Sequence, residues 1–410
     1  MRLLYTVCLR LALPFILARL WLRGRRERGY REAVTERFGM YATPRPGKLI
    51  WLHAVSVGEA RAAAPLVRAL QELLPDHRML LTCTTAAGRD TLQQLYGETV
   101  LAAYLPYDFP ESVQGFLEHF APRLGVLIET EVWPNLLAGC AQRGVPVLLA
   151  SARMSEKSAR AYRRWRALTA PAFRALAAAC AQSAADAERL RALGARHVEV
   201  TGNLKFDSRP DAAQLAAGRA WRAALGRPVL LIASSREGEE ALLLQALPEN
   251  ENILVVVVPR HPRRFDEVAQ WAQSRRTLQP SPAPAHRVYL GDTMGEMAFY
   301  YGACDVAVIG GSFAPLGGQN LIEALAAGAP VIVGPSMFNF ADATRLALEA
   351  GAALQSPDAA TAVREALKLI EDSTRREAMG RAGKALCAEH RGATQRHLAV
   401  CKRIIETGPG

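Results

Sequence analysis

Short apolar, β-branched runs alternate with longer helical patterns from Lys48 onward, which predicts repeated strand–helix units. The runs are apolar throughout, as is typical of parallel strands covered by helices on both faces. The chain is therefore expected to be α/β, with two Rossmann-like, doubly wound domains. The first predicted series of strands lies at residues 49–54, 79–84, 124–129, 146–151, 176–181 and 197–201, and the second at 228–233, 253–258, 287–290, 305–309 and 330–333.

The strand–helix alternation is interrupted near residues 207–225, where a polar helix rich in Ala, Gln and Arg is predicted. We therefore predict one domain over residues 25–210 and a second over residues 211–410. The last helical stretch, 375–406, is a candidate to cross back to the first domain. Folds of this class bind ligands at the carboxyl ends of their strands, so polar residues at those ends are the candidates for function.

The N-terminal segment, residues 3–22, is apolar and long enough to cross a bilayer, which requires about 20 residues. Arg10, Pro14 and Arg19 interrupt it, and an Arg-rich stretch follows directly. Such a basic flank marks a cytoplasmic side and attracts anionic lipids. Residues 1–24 are thus predicted to be a membrane anchor, either spanning once or lying in the interface; a buried helix is the alternative.

Composition and charge limit the classes of binding partner that the sequence predicts. The 410 residues carry a formal net charge of +11, which favours an anionic partner such as a phosphorylated ligand or an acidic membrane. Nucleic acid is disfavoured, because the Arg residues are not interleaved with the aromatic residues that single-strand binders use. The seven cysteines and eight histidines are dispersed without metal-ligand spacing, so we predict reduced thiols, no bound metal and no cofactor.

Glu59 is the first candidate for chemistry, because it follows strand 49–54 at the start of a predicted helix. A carboxylate at that place is well positioned as a general base, and the helix start stabilises its negative charge. The same spacing fits a capping box, in which Ser56 and Glu59 hydrogen-bond reciprocally around the first helical turn. From the residues alone, base and cap both remain open.

Further charged residues follow two other strands of the first series. Glu129 ends strand 124–129 and is expected to face the ligand, whereas Glu131 is an alternative cap for the helix that Pro134 begins. Lys205 lies beyond the last strand and has the charge needed to neutralise a developing phosphate charge. A solvated surface lysine is the alternative for Lys205.

The second series carries features that suit a nucleotide-sugar. Arg260 leads a basic turn fit for phosphate contact. The loop at residues 291–296 offers backbone amides, and residues 310–328 read as a glycine-rich loop followed by a helix from 320 to 327. Glu323 could there reach sugar hydroxyls, as an acidic residue does for ribose. The spacing matches neither a P-loop nor a dinucleotide fingerprint.

Several short motifs form a specific combination, although each alone is weak. They are His53-Ala-Val-Ser-Val-Gly-Glu, Leu105-Pro-Tyr-Asp, Glu129-Thr-Glu-Val-Trp-Pro-Asn, Thr201-Gly-Asn-Leu-Lys-Phe-Asp, Pro259-Arg-His-Pro, Gly291-Asp-Thr-Met-Gly-Glu, Gly310-Gly-Ser, Asn320-Leu-Ile-Glu and Gly334-Pro. With the N-terminal segment, they resemble the 3-deoxy-D-manno-octulosonic acid (Kdo) transferases of Gram-negative bacteria over nearly the whole chain. The stretch 151–155 also matches that family, without an assigned role.

The resemblance implies a GT-B fold, with an acceptor-binding domain followed by a donor-binding domain. It implies inverting transfer of Kdo from CMP-Kdo to the lipid A precursor, lipid IVA, at the cytoplasmic side of the cell inner membrane. Glu59 would be the general base, and Glu129 and Lys205 would stabilise the transition state. The positions that match the CMP-binding segments are Pro259, Arg260, Met294, Gly295, Glu296, Asn320, Leu321, Ile322 and Glu323.

Two other functions share parts of this pattern. A UDP-sugar transferase or UDP-sugar 2-epimerase would have the same fold and a similar helix with a glutamate, but not the Glu129-Thr-Glu-Val-Trp-Pro stretch. A membrane-tethered, non-catalytic lipid-binding protein would need the N-terminal segment and the positive charge, with Glu59 acting as a helix cap and nothing more.

Overall fold

The computed structural model of the protein describes residues 1–45, 47–249 and 252–407. The chain divides into two compact units. The first contains Met1–Asp207 together with the C-terminal residues from Gly392, and the second contains Ser208–Arg391. Of the helical stretch 375–406, which was a candidate to cross back, the part from Gly392 belongs to the first unit and the part before it to the second.

The first unit is built on a seven-stranded, all-parallel sheet in the order β3-β2-β1-β4-β5-β6-β7. Its strands are β1 Leu49–His53, β2 Arg78–Cys83, β3 Val100–Tyr104, β4 Leu124–Ile128, β5 Val147–Ala152, β6 Ala178–Ala181 and β7 Val198–Val200. Its helices before the second unit are α1 Arg2–Arg26, α2 Val57–Ala62, α3 Ala64–Leu73, α4 Ala86–Tyr96, α5 Pro110–Phe120, α6 Pro134–Gln142, α7 Glu156–Arg164, α8 Arg166–Ala175 and α9 Ala184–Leu193.

Burial on both faces explains why the central strands of this sheet are apolar throughout. Every residue of β1 and β4 is buried, and alternate side chains enter two separate hydrophobic clusters on opposite faces of the sheet. Gly125 allows β4 to pass close to Trp51, since a Cβ at that position would lie 2.8 Å from the indole ring. The two strands pair from Ile50 with Leu124 to His53 with Leu127, so their carboxyl ends lie side by side.

The second unit repeats the architecture, with a parallel sheet in the order β10-β11-β9-β8-β12-β13-β14. Its strands are β8 Val229–Ser235, β9 Leu254–Pro259, β10 Ser274–Arg275, β11 Val288–Leu290, β12 Val306–Ile309, β13 Val331–Val333 and β14 Ala353–Gln355. Its helices are α10 Ala212–Leu225, α11 Glu239–Gln245, α12 Phe265–Ala269, α13 Met297–Ala303, α14 Ile322–Ala327, α15 Ala341–Glu349, α16 Ala359–Glu371 and α17 Ser373–Glu389.

The predicted α/β, doubly wound fold is confirmed, and each predicted apolar run contains a strand. The prediction missed β3, β10 and β14. All three lie at an edge of their sheet. An edge strand has a neighbour on one side only and is often short, so its sequence shows the apolar pattern less strongly than a central strand does.

The terminal helix α18, Ala393–Thr407, packs against α3 in the first unit. The carboxylate of Asp207 accepts hydrogen bonds from the backbone N–H groups of Gly392 and Thr394, and so satisfies donors at the start of this helix. The capped helix start ties the end of the chain to the segment just before the second unit.

Helix α1 lies along the first unit with one face against it. Near its start, the Asn135 amide donates to the Thr6 hydroxyl at 3.0 Å. Near its end, Leu20 packs in a small cluster with Tyr30 and Ala86. Residues 2–25 are long and apolar enough to cross a membrane, by length and composition alone. The outer face exposes a row of large apolar side chains, namely Leu3, Leu4, Val7, Leu11, Phe15, Trp21 and Leu22.

Candidate active site

In the first unit, Glu59 lies on α2, which follows β1. Strand β1 pairs with β4 at the point where the strand order of the sheet reverses. Helix α2 begins at Val57, because the Ser56 hydroxyl accepts the backbone N–H of Glu59 at 3.3 Å. The Glu59 carboxylate reaches back, accepting the Ser56 hydroxyl at 2.9 Å and the Val55 N–H at 2.8 Å. The predicted cap by Ser56 is therefore confirmed, whereas the carboxylate accepts the Val55 N–H in place of the Ser56 N–H of a capping box. These contacts fix the position of the carboxylate.

The electrostatic surroundings of Glu59 give it a second property. Burial raises the pKa of its carboxyl to about 7, and the nearby negative charge of Glu129 acts in the same direction. The hydrogen bonds from Val55 and Ser56 favour the ionised form, but they do not offset these two effects. Near neutral pH this group can therefore both take up and release a proton, as a general base requires.

Glu129 and Lys205 form a close ion pair in the same unit. Lys205 Nζ lies 2.6 Å from Glu129 Oε1, and the two side chains are only 14% and 16% exposed. Burial alone would raise the pKa of Glu129, but the Lys205 ammonium holds it below its usual value. The structure thus brings the three predicted catalytic residues together: Lys205 pairs with Glu129, whose charge acts on Glu59.

Glu129 occupies a strained backbone position directly after β4. Its φ of 65° lies in the left-handed region, which non-glycine residues rarely adopt. Its N–H donates to the Ala150 carbonyl at 2.9 Å, so the strained turn is anchored on the neighbouring strand β5. Strain of this kind persists only where the surroundings impose it, and it concentrates at functional positions.

The alternative role predicted for Glu131 is wrong. Helix α6 is capped by Asp108, whose carboxylate accepts the backbone N–H groups of Asn135 and Leu136 at 3.0 and 2.7 Å. Burial raises the pKa of Asp108 to about 6. Glu131 instead accepts the Trp133 indole N–H at 2.7 Å. Pro134 begins the helix and has no N–H, so the donors that need a cap are those of the next two residues, and the Asp108 carboxylate accepts both.

In the second unit, Arg260 lies at the carboxyl end of the sheet, after Pro259 closes β9. Its backbone N–H donates to the Ser235 carbonyl at 3.0 Å, and its Nε donates to Gln319 Oε1 at 3.1 Å. The guanidinium is thus oriented toward the glycine-rich loop that precedes α14. A planar guanidinium in a fixed orientation suits bidentate recognition of phosphate.

Glu239 organises the beginning of the same loop and was not singled out by sequence reasoning. This fully buried carboxylate accepts the N–H groups of Gly311 and Phe313 at 2.6 and 2.9 Å, and that of Arg236 at 2.9 Å. It therefore holds the loops after β8 and β12 in one arrangement. The only sequence signal was its place in the turn after a strand.

The predicted helix at residues 320–327 begins two residues later, at Ile322. The reason is that Asn320 Oδ1 accepts the Ile322 N–H at 3.1 Å, which keeps Asn320 outside the helix. Its amide group also donates to Glu323 Oε1 at 3.0 Å. The side chains of Leu321 and Ile322 are buried.

The third predicted CMP-binding segment lies between β11 and α13. Gly295 has a φ of 83°, and Met294 is half exposed. Glu296 pairs with Arg276 at 3.2 Å and also accepts the Thr293 hydroxyl. Burial opposes ionisation, but these partners hold the pKa of Glu296 below its usual range. The three predicted CMP-binding segments thus follow β9, β11 and β12 at the same edge of the second sheet.

Two parallel sheets of this strand order, each with polar loops at its carboxyl edge, define the GT-B class of glycosyltransferase folds. Solved structures agree on the fold. A glycosyltransferase from Rickettsia africae superposes with a TM-score of 0.61 over 88% of this chain and 99% of its own, at 12% identity. The UDP-GlcNAc 2-epimerase of Neisseria meningitidis gives 0.58 over 87% of this chain and all of its own, at 15% identity.

Sequence comparison identifies the family. Residues 32–208 match the model described as 3-deoxy-D-manno-octulosonic-acid transferase (kdotransferase), and residues 240–386 match glycosyl transferases group 1. The 3-deoxy-D-manno-octulosonic acid transferase of Bordetella pertussis is 47% identical, covering 96% of this chain and 97% of its own length. That of Haemophilus influenzae is 34% identical over 99% of both. The chain belongs to the Kdo transferase family, and it is therefore a glycosyltransferase.

Proposed function

We propose that the protein transfers Kdo from CMP-Kdo to the lipid A precursor lipid IVA, in lipopolysaccharide core biosynthesis, with Glu59 as the general base. One observation carries the proposal: in a chain of this family, the Glu59 carboxylate has a pKa raised to about 7 and lies beside the Glu129–Lys205 ion pair. A carboxylate with that pKa matches the proton transfer that an acceptor hydroxyl requires at neutral pH.

In the proposed reaction, Glu59 takes the proton of the acceptor hydroxyl as its oxygen attacks the anomeric carbon of Kdo. The bond from that carbon to the CMP phosphate oxygen breaks, and its electron pair leaves with CMP. Attack from the face opposite the leaving group inverts the anomeric configuration, and one carboxylate base suffices for this geometry. The hydrogen bonds from Val55 and Ser56 hold the carboxylate in one orientation throughout.

Lys205 and Glu129 have complementary parts in this proposal. The Lys205 ammonium stabilises the negative charge that develops as the phosphate departs. Glu129 holds the ammonium in place through a 2.6 Å contact, and its own charge keeps the pKa of Glu59 high. The same carboxylate therefore serves both the cation and the base.

For the donor, we propose that CMP binds at the carboxyl edge of the second sheet. The side chains of Arg260, Asn320 and Glu323 offer a cation, an amide and a carboxylate there. The remaining members of this set are Pro259, Met294, Gly295, Glu296, Leu321 and Ile322. Their place after neighbouring strands supports the assignment, because doubly wound sheets bind nucleotides at this edge. The first unit then binds the acceptor.

We further propose that α1 attaches the protein to the cytoplasmic side of the inner membrane, by lying in the interface rather than by crossing it. Thr6 and Leu20, near its two ends, are both buried against the first unit. Detaching that face would expose these contacts, whereas the outer apolar row can enter lipid as it stands. Arginines at the end of the helix, including Arg23 and Arg25, suit anionic headgroups.

A donor panel tests the proposed function. Purified protein in anionic vesicles is given lipid IVA with CMP-Kdo, UDP-glucose or UDP-GlcNAc, and products are read by mass. Addition of Kdo from CMP-Kdo alone is expected, and the mass counts the residues added. Turnover of a UDP-sugar without Kdo transfer would contradict the proposal and favour a transferase or epimerase of the wider fold class.

A further inference from the structure

His397 on α18 is fully buried in the first unit, and its two ring nitrogens have different partners. Nδ1 lies 2.7 Å from the Ala393 carbonyl oxygen, and a carbonyl only accepts, so Nδ1 carries the proton. Nε2 is therefore an acceptor, and it takes the Ser151 N–H at 2.8 Å, with the Thr201 hydroxyl at 3.3 Å. Burial lowers the pKa of His397 to about 4, which keeps the ring neutral.

Ser151, the partner of His397, is one of the strained residues of the first unit. Its φ is 49°, and the regular pairing of β5 with β6 is interrupted between Leu149 and Ala152. A non-glycine residue holds this conformation only when its neighbours impose it. The His397 acceptor is one such constraint, because it binds the backbone N–H of the strained residue itself.

Hydrogen bonds continue from Ser151 to the catalytic lysine. The Ser151 hydroxyl accepts the Leu204 N–H at 3.4 Å, and the Ser151 carbonyl accepts the Gln182 amide at 2.8 Å. Gln182 Oε1 in turn accepts the Asn203 amide at 3.1 Å, and Asn203 Oδ1 accepts the Lys205 N–H at 2.9 Å. The backbone of Lys205 is thus tied to Ser151 by two routes.

The same short segment is held by α18 at its other end. Asp207, two residues beyond Lys205, caps the first turn of α18. The segment 204–207 therefore lies between two attachments to the terminal helix, one through Ser151 and one direct. Positioning by such fixed neighbours matters, because a displacement of about 1 Å at a catalytic group can cost about a hundredfold in rate.

We propose that His397 is a positioning residue for Kdo transfer, which acts through Ser151 to keep Lys205 beside Glu129. The proposal rests on the catalytic role given above to Lys205. His397 itself has no part in proton transfer. Its contribution is to hold Nε2 where it accepts the Ser151 N–H. The C-terminal helix, which lies far away in sequence, is thereby a component of the active site of the first unit.

Two amide substitutions separate the contacts of His397. In His397→Asn, the shorter amide reaches the position of Nδ1 and keeps the Ala393 contact, but it does not reach Ser151. In His397→Gln, the side-chain oxygen reaches the position of Nε2 and can accept the Ser151 N–H. We expect kcat to fall about ten- to a hundredfold in the first variant and to stay within about threefold of wild type in the second, with KM for CMP-Kdo unchanged in both.

Val400→Ala is the matched control, because Val400 is a buried core residue of the same helix. Melting temperatures are measured for all variants, and activity is assayed well below them. If His397→Asn loses no more kcat than Val400→Ala of equal stability, the positioning role is wrong. Should His397→Asn not fold, Ser151→Ala removes the Leu204 contact with a smaller change; because the route through Gln182 remains, a partial loss of kcat without loss of stability is expected, and an unchanged kcat would contradict the link.

A double-mutant cycle identifies the route of the effect. In a Lys205→Met background, His397→Asn should cost little further kcat, because its action passes through Lys205. Independent, multiplying losses would overturn the proposal. The outcome also separates it from the proposed function: full activity of Lys205→Met alone would refute the role of the lysine, whereas a loss in Lys205→Met with none in His397→Asn would refute only the role of the histidine.

Discussion

The two candidate half-sites place left-handed backbone partly at the same kind of position and partly at different ones. In the first unit, Glu129 and Ser151 adopt the left-handed backbone conformation. They are not glycines, so their surroundings must hold them in it. In the second unit, Ser234 has the same left-handed conformation near the end of β8, whereas the loop after β12 has it at Gly311, Gly317 and Gly318, where it costs little.

The two half-sites also differ in how their charged groups are arranged. The first unit keeps a buried carboxylate with a raised pKa next to an ion pair, whereas the Arg260 side of the second is organised by backbone amides and a buried carboxylate clamp. We infer that the first half-site is built for proton transfer and transition-state charge, and that the second is built for binding.

The largest effect is expected from Glu59→Gln, which keeps the shape of the side chain but removes the base. We expect kcat to fall by about 10²–10⁴ in the transfer assay. The matched control is Ser56→Ala, which removes the cap but leaves the carboxylate. If Glu59 is only a cap, the two variants will lose activity equally; capping loss alone costs about 1 kcal/mol of stability.

Lys205→Met should come next, with a loss of about a hundredfold in kcat, because it removes a fixed positive charge from the transition state. Without the ammonium, burial dominates at Glu129, and the pKa of that carboxyl should rise. Lys157→Met, at an exposed lysine of the same unit, is the control. An unchanged kcat in a folded Lys205→Met protein would assign the ion pair to structure alone.

The raised pKa of Glu59 also predicts a pH-dependent stability. Between the ordinary value of 4.5 and the folded value of about 7, the native state holds a proton that the unfolded state releases. Wild-type stability therefore falls as pH rises through this window, by up to about 3 kcal/mol. Glu59→Gln lacks this titration. In chemical denaturation, its free energy of unfolding should therefore rise relative to that of wild type between pH 5 and pH 8.

The control for this measurement is Glu72→Gln, which removes an exposed carboxylate from the same unit. Its free energy of unfolding should follow that of wild type across the range. Parallel pH profiles for wild type and Glu59→Gln would mean that Glu59 has an ordinary pKa, and the distinction between the two half-sites would lose its basis.

Arg260→Ala should give the smallest effect and one of a different kind. Loss of a charged phosphate contact of about 1.5 kcal/mol should raise KM for CMP-Kdo about tenfold, with a smaller change in kcat. The neighbouring Arg263→Ala is a suitable control, because that side chain is 63% exposed. A large fall in kcat at unchanged KM would show that the second half-site also takes part in the chemistry.

Sequence reasoning succeeded where a property is local. The apolar runs that form β1 and β4 predicted buried strands, and Glu59 and Glu129 follow them directly. Because β1 and β4 are neighbours in a doubly wound sheet, their following loops meet, and the approach of two carboxylates could be expected from the fold class.

The remaining features depend on contacts between residues far apart in the chain. Lys205 lies 76 residues from Glu129, and His397 lies 246 residues from Ser151, so no spacing or periodicity reveals either contact. Asp108 stood in a recognised motif, yet its role as the cap of α6 appears only when two loops are folded together. Long-range hydrogen bonds of this kind are set by tertiary packing, which local patterns do not encode.

The most direct test of Glu59 as the base is the acid limb of the pH profile of kcat/KM, which reports the pKa of the free enzyme. Lipid phosphates titrate in the same range, so wild type is compared with Glu129→Gln on identical substrates. Removing the Glu129 charge should lower the pKa of Glu59, and the limb near pH 7 should move to lower pH. Limbs that coincide in the two proteins would contradict the assignment of Glu59 as the base.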